Sequence, residues 1–229
     1  VNGGFTKYAV VREDMVYKIP DHIPLDVAAM MEPLAVATQP TELAEIKEGD
    51  KVLVSGPGPI GLLCASLLVS HGCKVIVSGT STDKERLEIA KKVGSELVID
   101  VTSEDLVGKI QEATNHQGVD VVVECSGNGH AVASCLKALK ITGTFIQVGI
   151  IGKEIPIDFD TILFKQIRVL GSNGHTKSTW DKVMKVFEED KMNLKDIITH
   201  RFPLSEWKEA FQLCEEKQGG KVLLSYDFE

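Results

Sequence analysis

Six residues, Gly56-Pro57-Gly58-Pro59-Ile60-Gly61, carry the spacing GxGxxG. An apolar run, Val52-Leu53-Val54-Ser55, precedes them, and a longer apolar segment, Leu62–Val69, follows. In a strand–turn–helix setting this spacing can hold a diphosphate. The first glycine permits the tight turn, the second lets the backbone approach the phosphates, and the third lets the helix pack close to the strand. The helix N-terminus then meets the negative charge with its amide groups. The spacing alone is weak. The preceding strand, the apolar helix and a second strand about 20 residues on make it strong. A glycine turn that holds no ligand, and an adenosylmethionine-binding sheet of the methyltransferase type, are the alternatives.

The second strand, Lys74-Val75-Ile76-Val77-Ser78, ends at Gly79, where many such folds place an acidic residue to accept the ribose hydroxyls. A carboxylate there would repel a 2′-phosphate. Gly79 removes that charge, and Thr80, Ser81 and Thr82 supply hydroxyls. Lys84 and Arg86 follow in the first turn of the next helix, which Thr82 and Glu85 have the spacing to cap. Cations there oppose the helix dipole, so Asp83 and Glu85, or a bound phosphate, should compensate them. The pattern favours NADP over NAD, with a solvated charged turn as the alternative.

These residues need a scaffold, and the chain alternates in the way that supplies one. The runs VLVS, KVIVS, LVID, VDVVVE, GTFIQVG and IRVLG read as strands. Between them stand helical patterns near 60–70, 84–93, 104–115, 129–139 and 176–189. This is the rhythm of βαβ units, so the expected fold is α/β, a Rossmann-type doubly wound parallel sheet of six strands. The continuous apolar character of Val121–Val123 fits a strand covered on both faces. Upstream, Thr6–Val11 and Val16–Ile19 read as short strands, and Asp26–Thr38 as a helix despite Pro33. Downstream, a short helix is expected at 205–216 and a last strand at Lys221–Ser225.

The 229 residues suffice for one large domain or one domain with part of another. A net charge of -8 argues against a nucleic-acid or membrane-surface binder, and no apolar run approaches the ~20 residues that span a bilayer. Five cysteines without metal-type spacing read as reduced, buried thiols of a cytoplasmic protein. Opening without Met and strand-like almost at once, the chain is expected to lack upstream residues.

The stretches GGFTKYAVV, VYKIPD, AAMMEPLAVA, GPGPIGLL, VVVECSG, GTFIQVG and ITHRFPLSEWKEAFQL…GGKVLL occur in this order. Together they resemble the zinc-dependent medium-chain alcohol dehydrogenases, in the sorbitol (iditol) and threonine dehydrogenase branch. The resemblance implies residues 1–46 and 191–229 in a GroES-like, β-rich catalytic domain and 47–190 in a cofactor domain. It implies that Glu32 contributes to the catalytic zinc as a ligand or through a water, and the cost of burying an unpaired carboxylate in an apolar helix supports that match. Gly56, Gly58, Pro59, Ile60 and Gly61 would hold the pyrophosphate, with Gly79, Thr80, Ser81, Lys84 and Arg86 at the adenosine ribose. Val148, Gly149 and Ile150, with Ser172, Asn173 and Gly174, would lie beneath the nicotinamide, and His175 near the substrate.

The family's upstream Cys and His ligands, and its four-cysteine structural zinc lobe, have no counterpart in the sequence; a preceding stretch of ~100 residues would hold both. The implied activity is hydride transfer between a secondary alcohol of the polyol class and NADP or NAD, with zinc in the intact enzyme and the chain by itself inactive. A non-catalytic dinucleotide-binding module and a zinc-free reductase of the quinone-reductase type stay as alternatives. His200 and Arg201 could line the route between domains or serve the fold of the tail. The implied partners are a small alcohol or polyol and further copies of the chain, a homodimer or homotetramer formed over the exposed edge strand Ile167–Gly171.

Overall fold

A computed structural model describes residues 3–189 and 192–226. Its centre is a six-stranded sheet of β1 (Lys51–Ser55), β2 (Lys74–Gly79), β3 (Leu97–Asp100), β4 (Val119–Glu124), β5 (Leu139–Gln147) and β6 (Arg168–Gly171). The order is β3-β2-β1-β4-β5-β6 and every pairing is parallel. All six expected strands are present, and β5 starts four residues before the GTFIQVG run.

Parallel neighbours need crossovers, and helices supply them. In chain order these are α1 (Leu25–Ala28), α2 (Met31–Leu43), α3 (Pro59–Ser70), α4 (Lys84–Lys92), α5 (Leu106–Ala113), α6 (Gly129–Ala138), α7 (Phe159–Lys165), α8 (Lys177–Glu189) and α9 (Trp207–Glu215). Side-chain alternation along the strands divides the core in two. Val52, Val54, Val75, Val77, Val121 and Val123 face α2, α3 and α8. Leu53, Ile76 and Val122 face α5 and α6. Fully burying each such side chain stabilises the fold by about 1.5–3 kcal/mol.

The ends of the chain depart from expectation. Thr6–Val11 and Val16–Ile19 form no strands, and the turn between them is a 3₁₀ helix, Glu13–Met15. A strand requires a neighbour for its amides, and this segment has few ties to the rest. From Tyr8 to Val16 its side chains stand out, Val10 fully so, while Tyr17 stacks on Trp180 and Ile19 packs on the core. It is held to the tail by the Thr6 amide donating to Tyr226 Oη at 2.8 Å and by edge contact of the Phe5 and Phe211 rings. The helix expected over 26–38 is two helices, α1 and α2, the second running on to Leu43. Pro33 is harmless because it lies in the first turn of α2, where its missing amide had no acceptor.

In the tail, β7 (Ile198–Pro203) pairs in parallel with the expected strand β8 (Lys221–Ser225); β7 and the α7 helix add to the expected elements. The expected division at 46/47 does not separate cores, since α2 and Leu194–Ile198 pack into the same cluster as α3. The one expected at 190/191 lies outside the described residues. Among the described residues no helix is long and apolar enough to cross a membrane.

Candidate dinucleotide site

The strand order reverses between β1 and β4, which in open parallel sheets opens a crevice at the carboxyl ends of the strands. Ser55-Gly56, Ser78-Gly79 and Ser126-Asn128 meet there around a cavity of about 500 Å³. Gly56 has φ +95°, and a Cβ on it would lie 2.8 Å from Ser126. Gly61 allows α3 to sit against the strand, because a Cβ there would be 2.0 Å from the Gly56 carbonyl oxygen. Both follow from the fold itself. Gly58 is different. Its φ is -66°, and a Cβ on it would meet nothing within 4 Å. The protein alone gives no reason for a glycine there; a ligand approaching the backbone does.

Gly58 caps α3, and no side chain bonds to the helix end. Pro59 has no amide, so those of Ile60 and Gly61 open the helix without intrahelical acceptors. Amides at a helix start are of the kind that can meet a negatively charged group. The dinucleotide therefore fits on an observation independent of motif matching, the open space over Gly58 beside uncapped amides.

Beneath this loop lies a residue whose role the sequence reading did not assign. Glu124, at the end of β4, is wholly buried. Its carboxylate accepts from the amides of Ser126 at 2.9 Å and Gly127 at 3.0 Å, and from Gln147 Nε2 at 2.6 Å. The Ser126 hydroxyl donates to it as well, and Ser55 Oγ donates from 3.4 Å. Gln147 also donates to the Gly149 carbonyl at 2.7 Å. One carboxylate thus ties the ends of β1 and β5 to the loop after β4. The signal was an acid ending the otherwise apolar run VDVVVE.

Not all expected cofactor residues face the cavity. Gly56, Gly79 and Thr80 line it; Gly58, Pro59, Ile60 and Gly61 do not, standing at the start of α3 beside it, and Ser81 opens the exposed turn beyond. Lys84 instead lines a separate groove with Glu88 and His200. Arg86 is buried, donating from Nε to the Gly219 carbonyl at 2.6 Å. It joins α4 to the tail, because the turn directs it away from the crevice. The expected cap of Thr82 and Glu85 is replaced by one of Thr80 and Asp83.

The Val148 and Gly149 amides both bond the Glu124 carbonyl at 2.8 Å, and Ile150 projects into solvent. Ser172 is buried, its amide bonded to the Gln147 carbonyl at 2.9 Å; Asn173 and Gly174 are exposed beside it.

Glu32 is not buried. Its side chain is 63% exposed, so the burial-cost argument for a metal role does not hold. It projects from the first turn of α2 and lies 3.6 Å from His175 Nε2. His175 packs edge-on against Trp180, which stacks on Tyr17. Among the described residues no group of three or more His, Cys, Asp or Glu could hold a metal ion. Glu32 and His175 alone do not make a zinc site.

Of the histidine and arginine in the tail, His200 stacks on Phe202, and Arg201 bonds Asp26 at 2.6 Å. That bond holds the Asp26 carboxyl below its usual range. The cysteines are all free, as expected, but only Cys64 and Cys135 are buried; Cys73 and Cys125 are partly buried and Cys214 is exposed.

Comparison with known proteins agrees with this geometry. The model of the zinc-binding dehydrogenase family matches residues 59–189, more than half of the chain. A sorbitol dehydrogenase of Halalkalibacterium halodurans is 37% identical over 225 residues, covering 98% of this chain and 66% of that protein. A short chain alcohol dehydrogenase of Escherichia coli CFT073, complexed with NADH, superposes with a TM-score of 0.90 at 26% identity, covering 98% of this chain and 66% of that one. A zinc-binding dehydrogenase structure from Sinorhizobium meliloti 1021, bound to NADP, gives a TM-score of 0.85 at 28% identity, with 97% and 65% covered. The chain belongs to the zinc-binding dehydrogenase family. It spans just under two thirds of the length of these proteins.

Proposed function

We propose that the chain is the cofactor-binding part of a zinc-dependent dehydrogenase that moves a hydride between a secondary alcohol of the polyol class and NADP or NAD. The observation that carries this is the open space over Gly58, at an α3 N-terminus that no side chain caps, beside the reversal point of a parallel sheet. The polyol class rests on similarity to the sorbitol dehydrogenase.

The chain's own residues would bind and orient. Gly56–Gly61 would seat the diphosphate, and Gly79 and Thr80 would face the adenosine end. The backbone of Val148–Ile150 and Ser172–Gly174 would support the nicotinamide. Glu32 would face the metal, with His175 beside it, and the other ligands would come from outside the described residues. When bound, the zinc supplies Lewis-acid activation of the alcohol.

Residues 1–46 and 191–229 are assigned to the substrate-side domain, although α2 and Leu194–Ile198 pack on the cofactor core. The largely exposed edge strand β6 supports pairing of copies into a dimer or tetramer. The free cysteines support a cytoplasmic setting.

The test is reduction of NADP⁺ or NAD⁺ by sorbitol and related polyols, using the enzyme that carries this chain. Activity that a zinc chelator removes and added zinc restores supports the reading. Polyol oxidation unaffected by chelation overturns the zinc assignment, and no dinucleotide reduction with any secondary alcohol overturns the dehydrogenase assignment.

A further inference from the structure

The absence of a side chain at the end of β2 has a local cause. A Cβ on Gly79 would lie 2.8 Å from Pro57 Cγ and 3.3 Å from Asp83 Cβ. Pro57 from the glycine loop and Asp83 from the following turn occupy the space a strand-end aspartate would use. Gly79 is therefore no sign, by itself, of a phosphate to be accommodated.

Asp83 brings a carboxylate back to the same place. It lines the cavity beside Gly79 and Thr80. Its Oδ2 accepts from the Thr80 amide at 3.0 Å and from Thr80 Oγ1 at 2.7 Å, and its Oδ1 lies 3.6 Å from the Arg86 guanidinium. Its side chain is only 15% exposed, so the charge is held in the wall.

Two consequences follow for a nucleotide at this end of the crevice. A 2′-phosphate would meet the Asp83 carboxylate, whose charge the Arg86 guanidinium at 3.6 Å offsets only in part, and like charges at close range repel in a partly desolvated site. The Thr80 amide and hydroxyl, which line the cavity, are already bonded to Asp83, and Thr82 Oγ1 lies 2.8 Å from the Thr80 hydroxyl. The cations of the next helix are directed elsewhere. Lys84 faces the outer groove, and Arg86 is committed to Gly219 and Asp83. Lys217, from the turn after α9, is an exposed cation on the cavity wall. A solvated ammonium offsets little of a charge held in the wall.

We infer that Asp83 replaces the missing strand-end carboxylate and makes this pocket select the dinucleotide without a 2′-phosphate. The inference rests on the dinucleotide reading above, and its test separates the two. Calorimetric titration of the protein with NAD⁺ and NADP⁺ is expected to show NAD⁺ binding at least ~10-fold tighter, a difference of about 1.4 kcal/mol. Asp83→Asn keeps an acceptor for Thr80 and removes the charge; it is expected to shrink that ratio by ~10-fold or more. Lys217→Ala is expected to leave the ratio unchanged.

Because Asp83 also caps a turn, the unmodified protein provides a second readout. Adenosine 5′-monophosphate should displace a bound dinucleotide at lower concentration than adenosine 2′,5′-bisphosphate. Tighter NADP⁺ binding that Lys217→Ala abolishes would overturn the inference while leaving the dinucleotide reading intact. So would a preference for NAD⁺ that Asp83→Asn does not alter. Binding of neither dinucleotide would overturn the underlying reading itself.

Discussion

Replacing Glu124 by Gln should loosen the floor of the crevice. The native carboxylate presents two acceptors to two backbone amides, two hydroxyls and the Gln147 amide, all without solvent. Glutamine turns one acceptor into a donor. With its NH₂ towards Ser126, the hydroxyls can rotate to accept, but the Ser126 amide is orphaned. With its NH₂ towards Gly127, that amide is orphaned and Gln147 must give up its bond to Gly149. Either way one buried backbone donor is left unpaired, at about 1–3 kcal/mol, and the remaining bonds lose their charge assistance, at about 1 kcal/mol more. The total, roughly 2–4 kcal/mol, corresponds to a fall in melting temperature of about 4–16 °C for a chain of this size. Ser126 abuts Gly56, so dinucleotide affinity should fall with it. Differential scanning calorimetry with and without dinucleotide reads both. Glu124→Gln melting within about 2 °C of the parent would refute the reasoning, because a neutral side chain would then serve the same amides equally well.

Asp120 accepts from the Lys51 amide at 2.7 Å and from the Lys140 ammonium. Burial alone would raise its pKa, but these partners hold it below the usual carboxylate value. Its contribution is thus present above the unfolded pKa of about 4 and lost as pH falls through the folded value. Asp120→Asn should therefore melt below the parent at about pH 7, with the gap closing towards about pH 2; a gap independent of pH would contradict this. Among the thiols, Cys214 is exposed and should react at once with a disulfide reagent at about pH 8. Partial burial, with the Asp50 and Glu48 charges, pushes Cys73 up to about 11, so it should react more slowly than Cys214; burial pushes Cys135 up to about 12, so it should react only on unfolding, and fast native modification of Cys135 would contradict its placement.

What was legible in the sequence follows from where physical signals are local. The six strands could be read because buried parallel strands are continuous apolar runs, and the glycine loop because its spacing encodes backbone geometry. Side-chain direction was not legible. Lys84 and Arg86 looked like a phosphate clamp in one dimension, but the turn Ser81–Asp83 sends one outward and one to the tail. Glu32 looked buried because its sequence neighbours are, yet the first turn of α2 presents it to solvent. The upstream segment alternates like strands, but pairing depends on a neighbour that pattern cannot supply. Glu124 ended an apolar strand in plain view, and its five donors come from the ends of β1 and β5 and the loop after β4, which only the fold brings together.

The central claim is that the space over Gly58 belongs to a diphosphate, and Gly58→Ala tests it most directly. A methyl group there meets no protein atom, and φ of -66° suits alanine. The melting temperature of the free protein should hold or rise slightly, by the ~0.4–1 kcal/mol that a compatible Gly→Ala change confers. Dinucleotide affinity, measured by calorimetric titration, should fall at least ~10-fold, the equivalent of about 1.4 kcal/mol. A variant that binds dinucleotide as tightly as the parent would show that no phosphate approaches this backbone.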